Sequence, residues 1–194
     1  MNKEILFGGI RVAGRFLLSA VMCMILSMSV LTLIDGFWGR FLCQILNLAI
    51  VISLSYVPLW NEGNNDVNKI NYERMKRDPL RGLKYGLVAA VPGVIVYILL
   101  FLSAMGAMSE AFFMIYRFLN PVFLPLNMTL MPATLTMSEI GMMPVFFACF
   151  EMLLPVIVCG FAYPLGLHRY SLSERFIYPY APERKKKKKK LRRY

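Results

Sequence analysis

Four apolar stretches, residues 16–34, 41–60, 85–108 and 141–167, are each long enough to cross a lipid hydrocarbon core, because about 20 helical residues at 1.5 Å apiece span its roughly 30 Å. Nothing else in the chain restricts its fold as strongly. The mean hydropathy of +0.55 and the 58% hydrophobic content lie above the roughly one-half apolar content of a soluble domain. The first stretch follows basic residues, as a signal peptide would. It is nevertheless about 19 residues long, and Leu33-Ile34-Asp35-Gly36 is no small-x-small cleavage site, so it reads as a retained span. The expected fold is all-α and polytopic, with one four-helix transmembrane domain over 1–178 and a polybasic tail over 179–194.

Charge then orients the bundle. Of 22 Lys and Arg residues, twenty fall in the N-terminal tail, in the loop after span two, or after span four; only Arg40 and Arg117 lie in the other two connections. Basic residues are retained on the cytoplasmic side, so both termini are expected there, with the plasma membrane as the compartment. The net charge of +11 therefore describes orientation and does not point to specific nucleic-acid binding. The run Lys185, Lys186, Lys187, Lys188, Lys189 and Lys190 is expected to contact anionic headgroups of the membrane lipids.

The connections differ in kind. Asp35-Gly36-Phe37-Trp38-Gly39-Arg40 reads as a tight hairpin with interfacial aromatics. Asn61-Glu62-Gly63-Asn64-Asn65-Asp66 reads as a polar turn cluster. Asp78-Pro79 reads as an N-cap with proline at the first helical position. Residues 111–137 are apolar and aromatic yet carry Pro121, Pro125 and Pro132. Prolines so close together break a spanning helix, because each removes an N–H and clashes with a carbonyl one turn back. Two short pieces, about 110–119 and 121–131, are expected at the outer interface or dipping in as a re-entrant segment. Ser171-Leu172-Ser173-Glu174 matches a capping box and opens a short amphipathic surface helix.

Two boundary segments carry a family likeness. Asp78-Pro79-Leu80-Arg81-Gly82-Leu83-Lys84-Tyr85-Gly86-Leu87 and Tyr163-Pro164-Leu165-Gly166-Leu167-His168-Arg169-Tyr170 with its continuation to Tyr178 resemble uncharacterised four-span integral membrane proteins of Gram-positive, clostridial-type bacteria. The resemblance implies a bacterial plasma membrane and no catalytic activity.

Glu151 is the only acidic residue deep inside a predicted span, and an acid at that depth costs enough that a functional role is the first hypothesis. Pro155 cannot donate to the carbonyl of residue 151, which puts a second oxygen on the same turn. Asn47 and Gln44, at similar depth on span two, are its expected partners, either as an ion or proton site or as interhelical hydrogen bonding. Cys23, Cys43, Cys149 and Cys159 lie in the apolar segments without CxxC spacing, as packing thiols do. With His168 the only histidine, no metal cluster is expected, and no P-loop, GxSxG, HExxH or GxGxxG motif occurs. Asp35, Glu110 and Glu139 are expected to face water, and Asn127-Met128-Thr129 fits a glycosylation acceptor. Gly86, Ala89, Ala90 and Gly93 suit close helix contact.

The resulting expectation is a non-enzymatic accessory or interaction subunit without cofactors, packing on a membrane-protein partner or on itself as a homo-oligomer. The alternative is an ion- or proton-coupled transport protein using Glu151.

Overall fold

A computed structural model describes residues 3–34, 36–109, 111–132 and 137–170 of the chain. Among them every regular element is helical: α1 (Lys3–Leu33), α2 (Phe37–Asn71), α3 (Arg81–Ala104), α4 (Ala111–Leu119), a 3-10 turn (Pro121–Phe123), α5 (Leu124–Leu130), α6 (Met137–Ile140), α7 (Met143–Met152) and α8 (Leu154–Leu167). Helices α1, α2, α3 and the stretch Met143–Leu167 are long and apolar enough to cross a membrane. The capping-box helix at 171–178, the lysines 185–190, Asp35 and Glu110 lie outside the described residues.

Small and polar residues make the inner faces. On α2 the buried positions Gly39, Cys43, Asn47, Val51, Ser55, Leu59 and Gly63 recur every fourth residue. A step of four drifts about 40° around a helix of 3.6 residues per turn, so this stripe turns to meet different neighbours along its length. At one end it meets α8, where Gly63 lies against the Tyr163 carbonyl and Gly166 against that of Trp60. Such reciprocal backbone approach leaves no room for a Cβ, and it is how helices associate where lipid offers no hydrophobic drive. The sequence stripe on α3 is used likewise: Gly86 faces Pro155 and Val156, Gly93 faces Met152, and Ala89 and Ala90 are buried. Helix α8 thus sits against α2 and α3, while α1 contacts both of those helices.

Two helices are longer than their apolar cores. α1 starts at Lys3 rather than near residue 16, and α2 runs on through 61–66, where a turn was expected. The correction has a physical cause in tertiary contacts. Asp66, only 1% exposed, accepts a hydrogen bond from the Tyr163 hydroxyl at 2.8 Å and pairs with Lys69 at 2.7 Å and Arg81 at 3.9 Å. Long-range bonds of this kind override the local preference of Asn, Gly and Asp for turns. α3 begins at Arg81, two residues later than a cap at Asp78 implies, and the Asp78 carboxylate accepts the Leu80 N–H at 3.1 Å. We call this the basic end of the bundle and the opposite one, with the turn at Gly36, the hairpin end; Gly36 makes that turn at φ 96°, which favours glycine.

Both remaining stretches are broken by proline. The fourth apolar helix divides at Leu153, whose N–H bonds the Phe150 carbonyl at 3.1 Å, because Pro155 removes the next helical donor. The segment between α3 and α7 folds as the short pieces expected of it, and they descend into the bundle. Val122, in the 3-10 turn, packs on Cys23 and Val51. Those residues lie ten and fourteen positions inside the hairpin-end termini of α1 and α2, about 15–21 Å down by helical rise.

Candidate functional site

The descent of the broken segment brings its polar side chains to Glu151. This carboxyl, on the last turn of α7 and 7% exposed, accepts three hydrogen bonds. Tyr116 of α4 donates its hydroxyl at 2.8 Å, Asn127 of α5 its amide at 3.2 Å, and Asn120, between them, its amide as well. All three reach Oε2 and none reaches Oε1. Asn120 also donates to the Tyr116 oxygen at 3.3 Å. Residues 116 and 120 share a face of α4, and Asn120 leaves the helix (φ −121°, ψ 62°) because the residue before a proline disfavours the α region.

No cation is within salt-bridge distance of Glu151 among the described residues. Hydrogen bonds to a charged acceptor contribute about 1.5–3 kcal/mol each. An acid at the centre of a bilayer costs about 2.5–3.5 kcal/mol on insertion scales. Three such bonds together, about 4.5–9 kcal/mol, cover that cost, so neutral donors alone suffice to hold the carboxyl.

Asn47 and Gln44 are not partners of Glu151. Asn47 lies within bonding distance of Ser27 Oγ (2.9 Å), the Pro121 carbonyl (3.3 Å) and the Val122 carbonyl (3.2 Å), and its two amide hydrogens serve at most two of these at once. Gln44 donates to the Val122 carbonyl at 3.3 Å. Pro125 has no N–H to close a 3-10 bond on the Val122 carbonyl, the Pro121 carbonyl keeps the Leu124 N–H, and apolar surroundings favour a partner for every such oxygen. The two span-two amides therefore hold the chain break in place, and the break holds Glu151. Asn47 Oδ1, Gln44 Oε1 and Asn127 Oδ1 are buried without a protein partner among the described residues.

Several residues outside the sequence-based set belong to this region. Tyr116, Asn120 and Asn127 are polar exceptions in an apolar, proline-rich segment, and that contrast was the signal available. Arg117, counted above as a connection charge, is 5% exposed, donates to the Met131 carbonyl and lies 4.7 Å from the Phe113 ring centre. Asn127 is fully buried with its amide on Glu151, so the Asn127-Met128-Thr129 pattern is no modification site. His168 is exposed at the end of α8. Cys23, Cys43 and Cys159 are buried free thiols, whereas Cys149 is exposed. The described residues contain no metal-binding cluster of His, Cys, Asp and Glu.

Glu151 and Asn120 also form the polar wall of a crevice of about 550 Å³. Ile10, Gly14 and Leu17 of α1 face Pro92, Gly93 and Val96 of α3 across it, and the Pro121–Phe123 turn closes one end. α1 and α3 touch nearer the basic end, where Gly8 and Gly9 meet Tyr85 and Val88, and separate above it. The fold and site define a helical bundle with four potential membrane-crossing segments around a buried, neutrally solvated carboxyl. No protein-family model, curated protein or solved structure matches the chain.

Proposed function

We propose that this is a non-enzymatic, multi-pass protein of a bacterial plasma membrane that takes a proton or small cation at Glu151 and works as an ion- or proton-coupled transport protein. The observation that supports this reading is the convergence of three uncharged donors on one buried carboxylate oxygen beside two helix breaks. Purely structural pairing needs only one partner, whereas a group that gains and loses a proton or cation benefits from a preformed neutral shell. Discontinuous helices that gather polar groups at mid-depth are a recurrent way of building ion sites in transporters. The reading as an accessory or interaction subunit has composition behind it and no comparable contact.

The decisive experiment is ion flux in liposomes holding only the purified protein. Proton or monovalent-cation flux is expected with the wild type and should fall at least about tenfold in Glu151→Gln. Flux that is absent, or indifferent to Glu151→Gln, together with stoichiometric co-purification of a membrane partner, would favour the accessory subunit instead. The basic-residue distribution supports cytoplasmic termini, and Lys185 to Lys190 add attraction to anionic lipid of about 1 kcal/mol per residue near the surface. Liposome binding through that run should weaken as salt rises, and salt-insensitive binding would sink it.

A further inference from the structure

The crevice between α1 and α3 has features that an ion pathway alone does not need. It runs along α1 from Ile10 to Ala20, about 15 Å by helical rise, and apart from Glu151 and Asn120 its named walls are apolar. Ile10 and Leu17 at its rim are 54% and 69% exposed. Leu17 belongs to the apolar stretch of a helix long enough to cross a membrane, while Ile10 precedes that stretch beside Arg11. In a bilayer the mouth would therefore open from headgroup level into the acyl region, and an occupant would enter sideways from the lipid. At the inner end is the carboxyl of Glu151, 93% buried by difference from its 7% exposure, with Oε1 outside the three hydrogen bonds made to Oε2.

Resting on the reading of Glu151 as an ion site, we propose that the crevice binds a membrane-dissolved amphiphile with a cationic ammonium head. The apolar chain lies between α1 and α3, and the head pairs with Oε1 of Glu151. Charge complementarity selects this occupant: the one charged group of the lining is an acid, and the donors already on Oε2 leave the other oxygen as the available acceptor. A volume of about 550 Å³ falls within the usual 300–1,000 Å³ range of small-molecule sites. Anionic heads are repelled. Neutral alcohols lack the ion pair.

Gly14 provides a handle separate from the carboxyl. It lines the crevice, and a Cβ added there would meet nothing within 4 Å, so the side chain of Gly14→Leu starts into open space, occupies the crevice and favours the helix. Dodecylamine binding to the full chain in nanodiscs, read by native mass spectrometry and titration, should saturate at one molecule per chain. Both Gly14→Leu and Glu151→Gln should weaken it by about tenfold or more, as expected for loss of a charge-assisted bond or of the chain's space. Dodecanol and dodecanoate should bind at least tenfold more weakly than the amine. Equal binding of dodecanol, indifference to Gly14→Leu, or a phospholipid retained against excess amine would overturn the proposal. Ion flux that depends on Glu151 without saturable amine binding would overturn it while leaving the ion site standing. Amine binding that depends on both residues, without flux, would uphold it and remove the transport reading.

Discussion

The two deeply buried carboxyls among the described residues are solvated in opposite ways. Asp66, at the basic end, is held by two cations and a hydroxyl: Lys69, Arg81 and Tyr163. Arg81 extends the cluster to Glu4 of α1 at 3.2 Å and to the Tyr85 hydroxyl at 2.7 Å. One network therefore links α1, α2, α3 and α8. Glu151, toward the middle of the bundle, has a hydroxyl and two amides, all neutral, and all from the proline-broken segment. Cations compensate the charge of Asp66, so that site serves as a fastening. Neutral donors leave Glu151 without a counter-cation, and on the proposed transport reading that is what lets the site take up a proton or cation.

The largest test of this contrast is at Asp66. Asp66→Ala leaves the buried Tyr163 hydroxyl without its acceptor and the Arg81 guanidinium, whose side chain is 13% exposed, with only the exposed carboxylate of Glu4. Removing one member of a buried ion pair costs about 3–5 kcal/mol. Lys69 is 56% exposed and contributes little to that figure. Thermal unfolding in detergent should show the loss, with the basic ends of α2 and α3 the first amides to gain hydrogen exchange. A loss below about 1 kcal/mol would mean that Asp66 is no fastening and would dissolve the distinction between the two carboxyls.

How much of each site was legible follows from the same contrast. Spanning length and the isolation of Glu151 are local properties, and the sequence carries them directly. The every-fourth stripe from Gly39 to Gly63 on α2 is equally readable, and it marks Asn47 as inward-facing. What could not be read locally was depth. Counting residues inward placed Glu151 level with Asn47, but the pieces around Pro121 were expected near the surface or dipping in by an unknown amount. Their descent is set by long-range packing of Val122 on Cys23 and Val51, so Tyr116, Asn120 and Asn127 had no visible destination. Asp66 was hidden for a related reason: Asn61 to Asp66 has the composition of a turn, and only the remote Tyr163 and Arg81 make it helical.

A middle-sized effect is expected at Asn47, which sharpens the comparison by testing how the neutral shell is supported. Asn47→Leu keeps the volume and removes the donor shared by Ser27 and the Pro121 and Val122 carbonyls. Losing two buried hydrogen bonds at roughly 0.5–1.5 kcal/mol each costs about 1–3 kcal/mol, with Gln44 still on the Val122 carbonyl and the Leu124 N–H on that of Pro121. The expected loss is about 2 kcal/mol in the same unfolding measurement, with any Glu151-dependent flux reduced because Asn120 and Asn127 lose register with the carboxyl. A stability loss with unchanged flux would show that the shell around Glu151 forms without support from α2.

The smallest stability change should come from the residue with the largest predicted functional effect. Glu151→Gln retains an acceptor oxygen of similar size and position for Tyr116, Asn120 and Asn127, and it removes the expense of a charge among apolar helices. These terms oppose each other: three bonds lose their charge assistance, while the desolvation cost disappears. The net change in unfolding free energy should therefore stay within about 1 kcal/mol of zero. Asp66→Asn makes the matching comparison, because there the lost charge leaves Arg81 with only the exposed Glu4 as counter-charge. If Glu151→Gln destabilised the bundle as strongly as Asp66→Asn, Glu151 would be a second fastening, and its neutral shell would be a means of packing the broken segment rather than a site that changes state.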